Sequence, residues 1–199
     1  MSPAGPRTGL FGGAFDPVHH GHVKIAKSFL DSNLIDRLLV VPTPESPHKD
    51  TSGQTPFAHR FRMLQLAFRD IDQVAVSDIE THLSKPSYTL KTIRYLQDEN
   101  PGNKYFLCIG EDSLASFHKW WEYEEILDRV PLIVAARPGA DSSQQSQSIL
   151  DRAIFVDHSE VEISSTEIRN RAWSGDNQLT DSVPEPVADY IHKKNLYSA

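Results

Sequence analysis

The chain has one cysteine, no apolar run approaching the ~18 residues of a membrane span, and no excess of positive charge. Each shortage excludes something. With Cys108 alone there is no internal disulfide and no cysteine-rich zinc site. Its setting, Tyr105-Phe106-Leu107-Cys108-Ile109, reads as a buried strand, so Cys108 is expected to be a packing residue. Without a long apolar run no membrane-crossing helix is expected. Met1 to Thr8 is too short and too polar to read as a signal peptide. A net charge of −7 argues against a general nucleic-acid or anionic-membrane surface, so any phosphate site must be local. These features fit a cytoplasmic protein without nucleic-acid or membrane partners.

What is present is ordinary for a globular protein: 199 residues, 39% hydrophobic and 24% charged. One domain over 1–199 is expected, with residues 1–8 flexible and 139–150 a surface loop. Within that loop, 141–148 is rich in Ser and Gln. Strand-like and helix-like segments alternate. Strands are predicted over Arg7–Phe11, Arg37–Val41, Val74–Ser77, Lys104–Ile109, Leu132–Ala135 and Ala153–Val156. Helices are predicted over 21–32, 57–69, 89–100, 113–117, 122–129, 165–173 and 186–194, the second with Phe57, Phe61, Leu64 and Phe68 on one face. This alternation predicts an α/β fold: a parallel sheet covered by helices on both faces, with ligands bound beyond the carboxyl ends of the strands.

The most informative segment is Gly12-Gly13-Ala14-Phe15-Asp16-Pro17-Val18-His19-His20-Gly21-His22. It joins the first strand to the first helix. Glycines there let backbone approach a phosphate, and the helix N-terminus favours the anion. His19 and His22, three apart, can face one ligand across the helix start, while His20 points elsewhere. A metal site is disfavoured, because imidazoles so close on a tight turn cannot all face one ion and no Asp/Glu/Cys cluster supports one. Asp16 invites a general-base role, but a phosphate monoester is already ionised near neutral pH, so Asp16 is expected to shape the turn. The second segment is Ile163-Ser164-Ser165-Thr166-Glu167-Ile168-Arg169. It reads either as an ordinary capping box, Ser164 with Glu167, or as a second anion site built from Ser165, Thr166 and Arg169. Beside the first segment the anion reading is preferred.

The first string resembles the nucleotidyltransferase signature Gly-x-Phe-x-Pro-x-His-x-Gly-His at Gly13, Phe15, Pro17, His19, Gly21 and His22. The second resembles the Ile-Ser-Ser-Thr-x-Ile-Arg signature of the same superfamily. Pro47-His48-Lys49, Pro86-Ser87-Tyr88-Thr89, Gly110-x-Asp112, Lys119-Trp120, Arg137-Pro138-Gly139 and the terminal Val187-x-x-Tyr190-Ile191-x-x-x-Asn195-Leu196-Tyr197 follow in order. From about residue 9 to 197 the chain looks like the bacterial nicotinate mononucleotide adenylyltransferases. The resemblance implies a Rossmann-like, doubly wound sheet. It also implies a reaction in which ATP and nicotinate mononucleotide, with Mg²⁺, give deamido-NAD and pyrophosphate by direct in-line attack. His19, His22 and Arg169 would be catalytic. ATP would be bound by Gly12, Gly13, Ala14, Phe15, His19, His22, Lys49, Gly110, Asp112, Ser165, Thr166 and Arg169. The mononucleotide would be bound by Tyr88, Thr89, Trp120 and Arg137. No protein ligand to a metal is implied, because Mg²⁺ keeps phosphate and water around it.

Bland readings stand beside several of these. Lys49 is otherwise a solvated loop lysine and Asp112 an N-cap. Trp121 and Trp173 read as packing residues, and His118 and His158 as incidental. Ser46 departs from a proline common in the family, and the 141–148 loop looks longer than usual. Rival functions are a transfer to another acceptor, such as the amide mononucleotide or phosphopantetheine, and a nucleotide-binding regulator without catalysis. Acid and amide mononucleotides have similar shapes, so the sequence leaves that choice open, as it does the oligomeric state.

Overall fold

A computed structural model describes residues 5–45, 53–136, 146–159, 162–176 and 178–198. The chain runs β1 (Arg7–Gly13), α1 (His20–Asp31), β2 (Arg37–Pro42), α2 (Phe57–Ala67), β3 (Val74–Val76), α3 (Thr89–Glu99), β4 (Lys104–Gly110), α4 (Glu111–Ser116), α5 (Tyr123–Arg129), β5 (Leu132–Ala136), α6 (Gln147–Leu150), β6 (Ala153–Asp157), α7 (Ser165–Trp173) and α8 (Glu185–Lys194). Single 3₁₀ turns lie at Ile79–Thr81 and Phe117–Lys119.

The six strands form one sheet in the order β3-β2-β1-β4-β5-β6, every pairing parallel. This is the doubly wound arrangement, and its order reverses between β1 and β4. Leu10 is in register with Leu39 on one side and Leu107 on the other. Side chains alternate across the sheet, as the two-residue strand period requires. Phe11, Cys108, Ile133 and Ala135 face one core, with Phe29 of α1, Leu64 of α2, Ile168 of α7 and Ile191 of α8. Leu10, Leu107, Ile109, Leu132 and Val134 face the other, with Ile93 of α3, Leu114 of α4, Ile126 of α5 and Ile149 of α6. Cys108 is fully buried, and burial pushes its thiol pKa up. Among the described residues no helix is long and apolar enough to cross a membrane.

Four sequence readings need correction. The inward face of α2 is Arg60, Met63 and Leu64, with Phe68 just beyond its end, while Phe57 and Phe61 are only half-buried and stack on each other at 5.8 Å. Trp173 is 64% exposed, because Ile168 and Ala172, four apart, form the buried stripe of α7 and leave Trp173 off it. His158 is buried, with Nδ1 3.2 Å from Ser28 Oγ. Of the expected surface loop at 139–150, the described part includes α6, whose Ile149 is fully buried.

Arg60 had no signal in the periodicity, yet it organises the end of the sheet. Its Nε donates to Thr55 O at 2.9 Å, Nη1 to Ala14 O at 2.6 Å and Thr43 O at 3.0 Å, and Nη2 to Pro44 O at 3.4 Å. One buried guanidinium therefore ties the turn after β1 to the segments after β2 and before α2. Arg60→Met should leave these carbonyls without donors and cost about 3 kcal/mol or more, read from the midpoint of urea unfolding at constant slope.

Candidate active site

The turn after β1 is the meeting place of both motifs. A Cβ on Gly13 would lie 3.0 Å from the Phe15 ring, so the chain folds back tightly there. Phe15 itself has φ 49°, a left-handed conformation unusual for a bulky residue. Its buried ring pins it, edge-on to Phe11 at 5.4 Å and to His22 at 4.9 Å. Only its backbone is left to meet a ligand.

Asp16 sits at the centre of the turn. Its carboxylate accepts from Tyr197 Oη at 2.7 Å and from Thr55 N at 3.2 Å, and its own carbonyl accepts from Arg169 Nη1 at 2.8 Å. Those bonds give it the turn-shaping place expected from the sequence. The neighbouring carbonyl of Pro17 accepts from Ser165 Oγ at 2.9 Å. The N-terminus of α7 is thereby docked on the turn that opens α1. Ser164 caps α7, accepting from Glu167 N at 3.1 Å, so the cap and the docking contacts use different hydroxyls. Thr166 Oγ1 accepts from Arg169 Nη2 at 3.1 Å, which aims the guanidinium along the first turn of α7.

His19 and His22 stack with ring centroids 3.7 Å apart, and His19 N donates to His22 Nδ1 at 3.3 Å. That bond makes Nδ1 of His22 an acceptor and places the proton of the neutral ring on Nε2. His19 is buried, and its Nδ1 has no hydrogen-bond partner. Burial, then the charge of His20, lowers the His19 pKa to about 4. Burial, then His19, holds His22 well below the usual imidazole value. Both rings are therefore neutral donors at pH 7 rather than cations. His20 turns away, its Nε2 lying 3.2 Å from Thr180 O.

On the far side of Gly12, Gly13 and Ala14 lies a cavity of about 590 Å³. Its other walls come from Thr43 after β2, Glu80, the Ser87–Thr89 segment entering α3, Asp112 and Ser113 of α4, and Lys119, Trp120 and Trp121. The cavity therefore opens at the carboxyl ends of β1 and β4, where the strand order reverses. Tyr88 and Trp121 pack face to face at 4.8 Å and 33°, and Trp120 packs on Phe117. Lys91 Nζ donates to the carbonyls of Ser84, Lys85 and Pro86 and lies 5.2 Å above the Tyr88 ring. The ion pair from Glu125 of α5 to Arg94 joins α5 to α3, the two helices that frame this wall, and Glu125 also pairs with Arg129 one turn along its own helix.

The sequence-predicted residues thus divide. His19, His22, Ser165, Thr166 and Arg169 gather at the turn. Gly12, Gly13 and Ala14 form the shared wall. Tyr88, Thr89, Asp112 and Trp120 line the cavity. The N-cap of α4 is Gly110 at the end of β4, so Asp112 is not the cap. Lys49 and Arg137 lie outside the described residues. Arg60, Glu80 and the cavity-lining place of Trp121 were not picked out from sequence; an ionisable residue at an inward helical position was the one available sign of Arg60.

A doubly wound sheet with two helix N-termini docked on one glycine-rich turn defines a nucleotidyltransferase, and the chain matches the cytidylyltransferase-like family over residues 10–171. It is 34% identical to a probable nicotinate-nucleotide adenylyltransferase of Geobacter metallireducens, over 96% of this chain and 98% of the relative. It is 40% identical to one of Thermotoga sp. (strain RQ2), over 94% and 95%. The fold is shared with a Plasmodium falciparum nicotinic acid mononucleotide adenylyltransferase complexed with NaAD, at TM-score 0.80 and 22% identity over 96% and 97% of the two chains. The chain belongs to the nicotinate-nucleotide adenylyltransferase family.

The pKa of His19 carries a stability consequence. A histidine held at about 4 when folded and near 6.5 when unfolded binds fewer protons in the native state between those values. Folding stability should therefore fall as pH drops from 6.5 toward 4, and His19→Asn should lessen that slope in urea titrations, the remainder coming from buried His22. Tyr197→Phe should cost about 2 kcal/mol by leaving a buried carboxylate oxygen without its donor, measured in the same assay at pH 7.

Proposed function

We propose that this chain transfers the adenylyl group of ATP to nicotinate mononucleotide, releasing pyrophosphate and forming deamido-NAD, with the whole chain acting as one catalytic domain. The observation that carries this reading is the adjacency of two sites across Gly12–Ala14. One is a phosphate turn built from the N-termini of α1 and α7, and the other a cavity with an aromatic wall. An oxygen of the mononucleotide phosphate attacks the α-phosphorus of ATP. The bond from that phosphorus to the bridging oxygen breaks, and pyrophosphate leaves in line. No proton need be removed from the attacking phosphate, which matches the engagement of Asp16 with Tyr197 and Thr55.

Catalysis then rests on positioning and charge stabilisation. Neutral His19 and His22 donate to oxygens that gain charge, and Arg169 supplies the permanent cation with its angle set by Asp16 O and Thr166. The backbone N–H groups of Ser165 and Thr166 and the Thr166 hydroxyl complete the cradle, with the Ser165 hydroxyl docking α7 on the turn through Pro17 O, and Gly110 and Asp112 face the nucleoside. Lys49 and Arg137 keep their expected phosphate roles as part of this reading. On the acceptor side, Tyr88, Trp120 and Trp121 offer ring faces to the pyridine, while Thr89 and the amides opening α3 offer donors to its carboxylate. Among the described residues no group of three or more His, Cys, Asp or Glu is placed to hold a metal ion. Mg²⁺ is read as part of the ATP substrate, held by its phosphates and water, and no step is assigned to a protein-bound ion.

The test is pyrophosphate release from MgATP with the acid and the amide mononucleotide offered separately. A preference for the acid of about a hundredfold or more is expected, as for a site that reads a charged group by hydrogen bonds. Comparable rates would assign a dual-specificity enzyme, and no release with either, in a protein that still binds ATP, would assign another acceptor. His22→Ala should lower kcat by about 10²-fold or more with a smaller change in KM, because its donor acts mainly on charge developing in the transition state.

A further inference from the structure

Glu80 is the buried acid of the cavity wall, and the reaction just described does not use it. Only 8% of it is exposed. It accepts from Thr92 Oγ1 at 3.0 Å through Oε1, while Oε2 is buried and has no hydrogen-bond partner. The groups that act on the carboxyl are hydroxyls: Thr92 from α3, Thr43 from the segment after β2, and Ser87 from the segment before α3. Among the described residues the other titratable groups lining the cavity are Tyr88, Asp112 and Lys119, and the nearby ammonium of Lys91 is committed to the carbonyls of Ser84, Lys85 and Pro86. A buried carboxyl oxygen left unsatisfied is an exception that calls for a reason. Here it lines the cavity with Ser87, which begins the segment against which the acceptor ring rests in the proposed function.

We infer that Glu80 sets the charge preference of the acceptor subsite: as a neutral acid beside Ser87 it admits an anionic ring substituent, and as a carboxylate it repels that substituent in favour of an uncharged one. The inference rests on the proposed mononucleotide acceptor. Its physics is a like-charge interaction across a few ångströms of poorly hydrated wall, where charges are weakly screened. Glu80 acts through the field it places on the subsite and through Ser87, so it is a positioning and specificity residue rather than a catalytic one. Burial pushes its carboxyl up to about 7, against the pull of the Thr92 hydroxyl, so its charge changes within the range where enzymes are assayed.

The experiment is steady-state kcat/KM with MgATP for the acid and the amide mononucleotide, from about pH 6 to about pH 8.5. The two acceptors share the same phosphate, so its titration cancels in their ratio. In the wild-type protein the acid-over-amide ratio should fall about tenfold as pH rises, a modest share of the repulsion expected between close charges in such a wall. In Glu80→Gln, which keeps the shape without the charge, the ratio should stay at its low-pH level throughout. Thr92→Val removes a bond that favours the carboxylate, so it should move the midpoint of the fall to higher pH; it decides the matter if Glu80→Gln fails to fold. A flat wild-type ratio, a Glu80→Gln ratio that falls like the wild type, or an unmoved midpoint in Thr92→Val would overturn the inference while leaving the acceptor assignment in place. No pyrophosphate from either mononucleotide would overturn the acceptor assignment and this inference with it.

Discussion

The turn from Gly13 to Pro17 is held by groups from four later parts of the chain, and the site exists because those groups converge. Arg60 takes the carbonyl of Ala14, Thr55 and Tyr197 take the carboxylate of Asp16, Arg169 takes its carbonyl, and Ser165 takes the carbonyl of Pro17. Buried carbonyls and carboxylates are costly without donors. The turn therefore adopts its shape only when the ends of α2, α7 and the C-terminal segment are in place. A strained Phe15 persists for the same reason, because the packing around it over-determines its backbone.

This organisation explains how two polyanions can be brought together by a protein that is itself acidic overall. The positive field is local and largely non-ionic. In the proposed reading it comes from two helix N-termini and from imidazoles held neutral by burial, with Arg169 as the fixed charge beside them and the Arg60 guanidinium committed to backbone carbonyls. Neutral donors cost less to bury than cations, and they still stabilise charge that appears during the reaction. The cavity follows the opposite economy. Its wall is aromatic and hydroxyl-rich, framed by the Arg94–Glu125 ion pair between α3 and α5, and its one deeply buried acid among the described lining residues is Glu80.

Much of the fold was legible in the chain itself. Helix α7 spans Ser165–Trp173, the range its pattern predicts, and the six strands differ from their predicted bounds by one or two residues at an end. The misplacements have a common cause. Arg60 and Glu80 are charged residues on inward faces, and a hydropathy pattern treats such residues as solvated. Trp173 is apolar yet lies one residue off the buried stripe of its helix, and His158 is polar yet buried beside Ser28.

The sequence by itself determined the alternation of strands and helices and the two segments that meet at the turn, because periodicity, caps and glycine turns depend on residues a few positions apart. It also carried enough motif spacing to identify the family. Only the tertiary structure decided that His19 and His22 are neutral, that Arg60 clamps the turn, that Trp121 packs on Tyr88, and that Glu80 lies in the cavity wall with one oxygen unpaired. Those properties arise from desolvation and from hydrogen bonds between segments tens to nearly two hundred residues apart, which no local pattern of residues encodes.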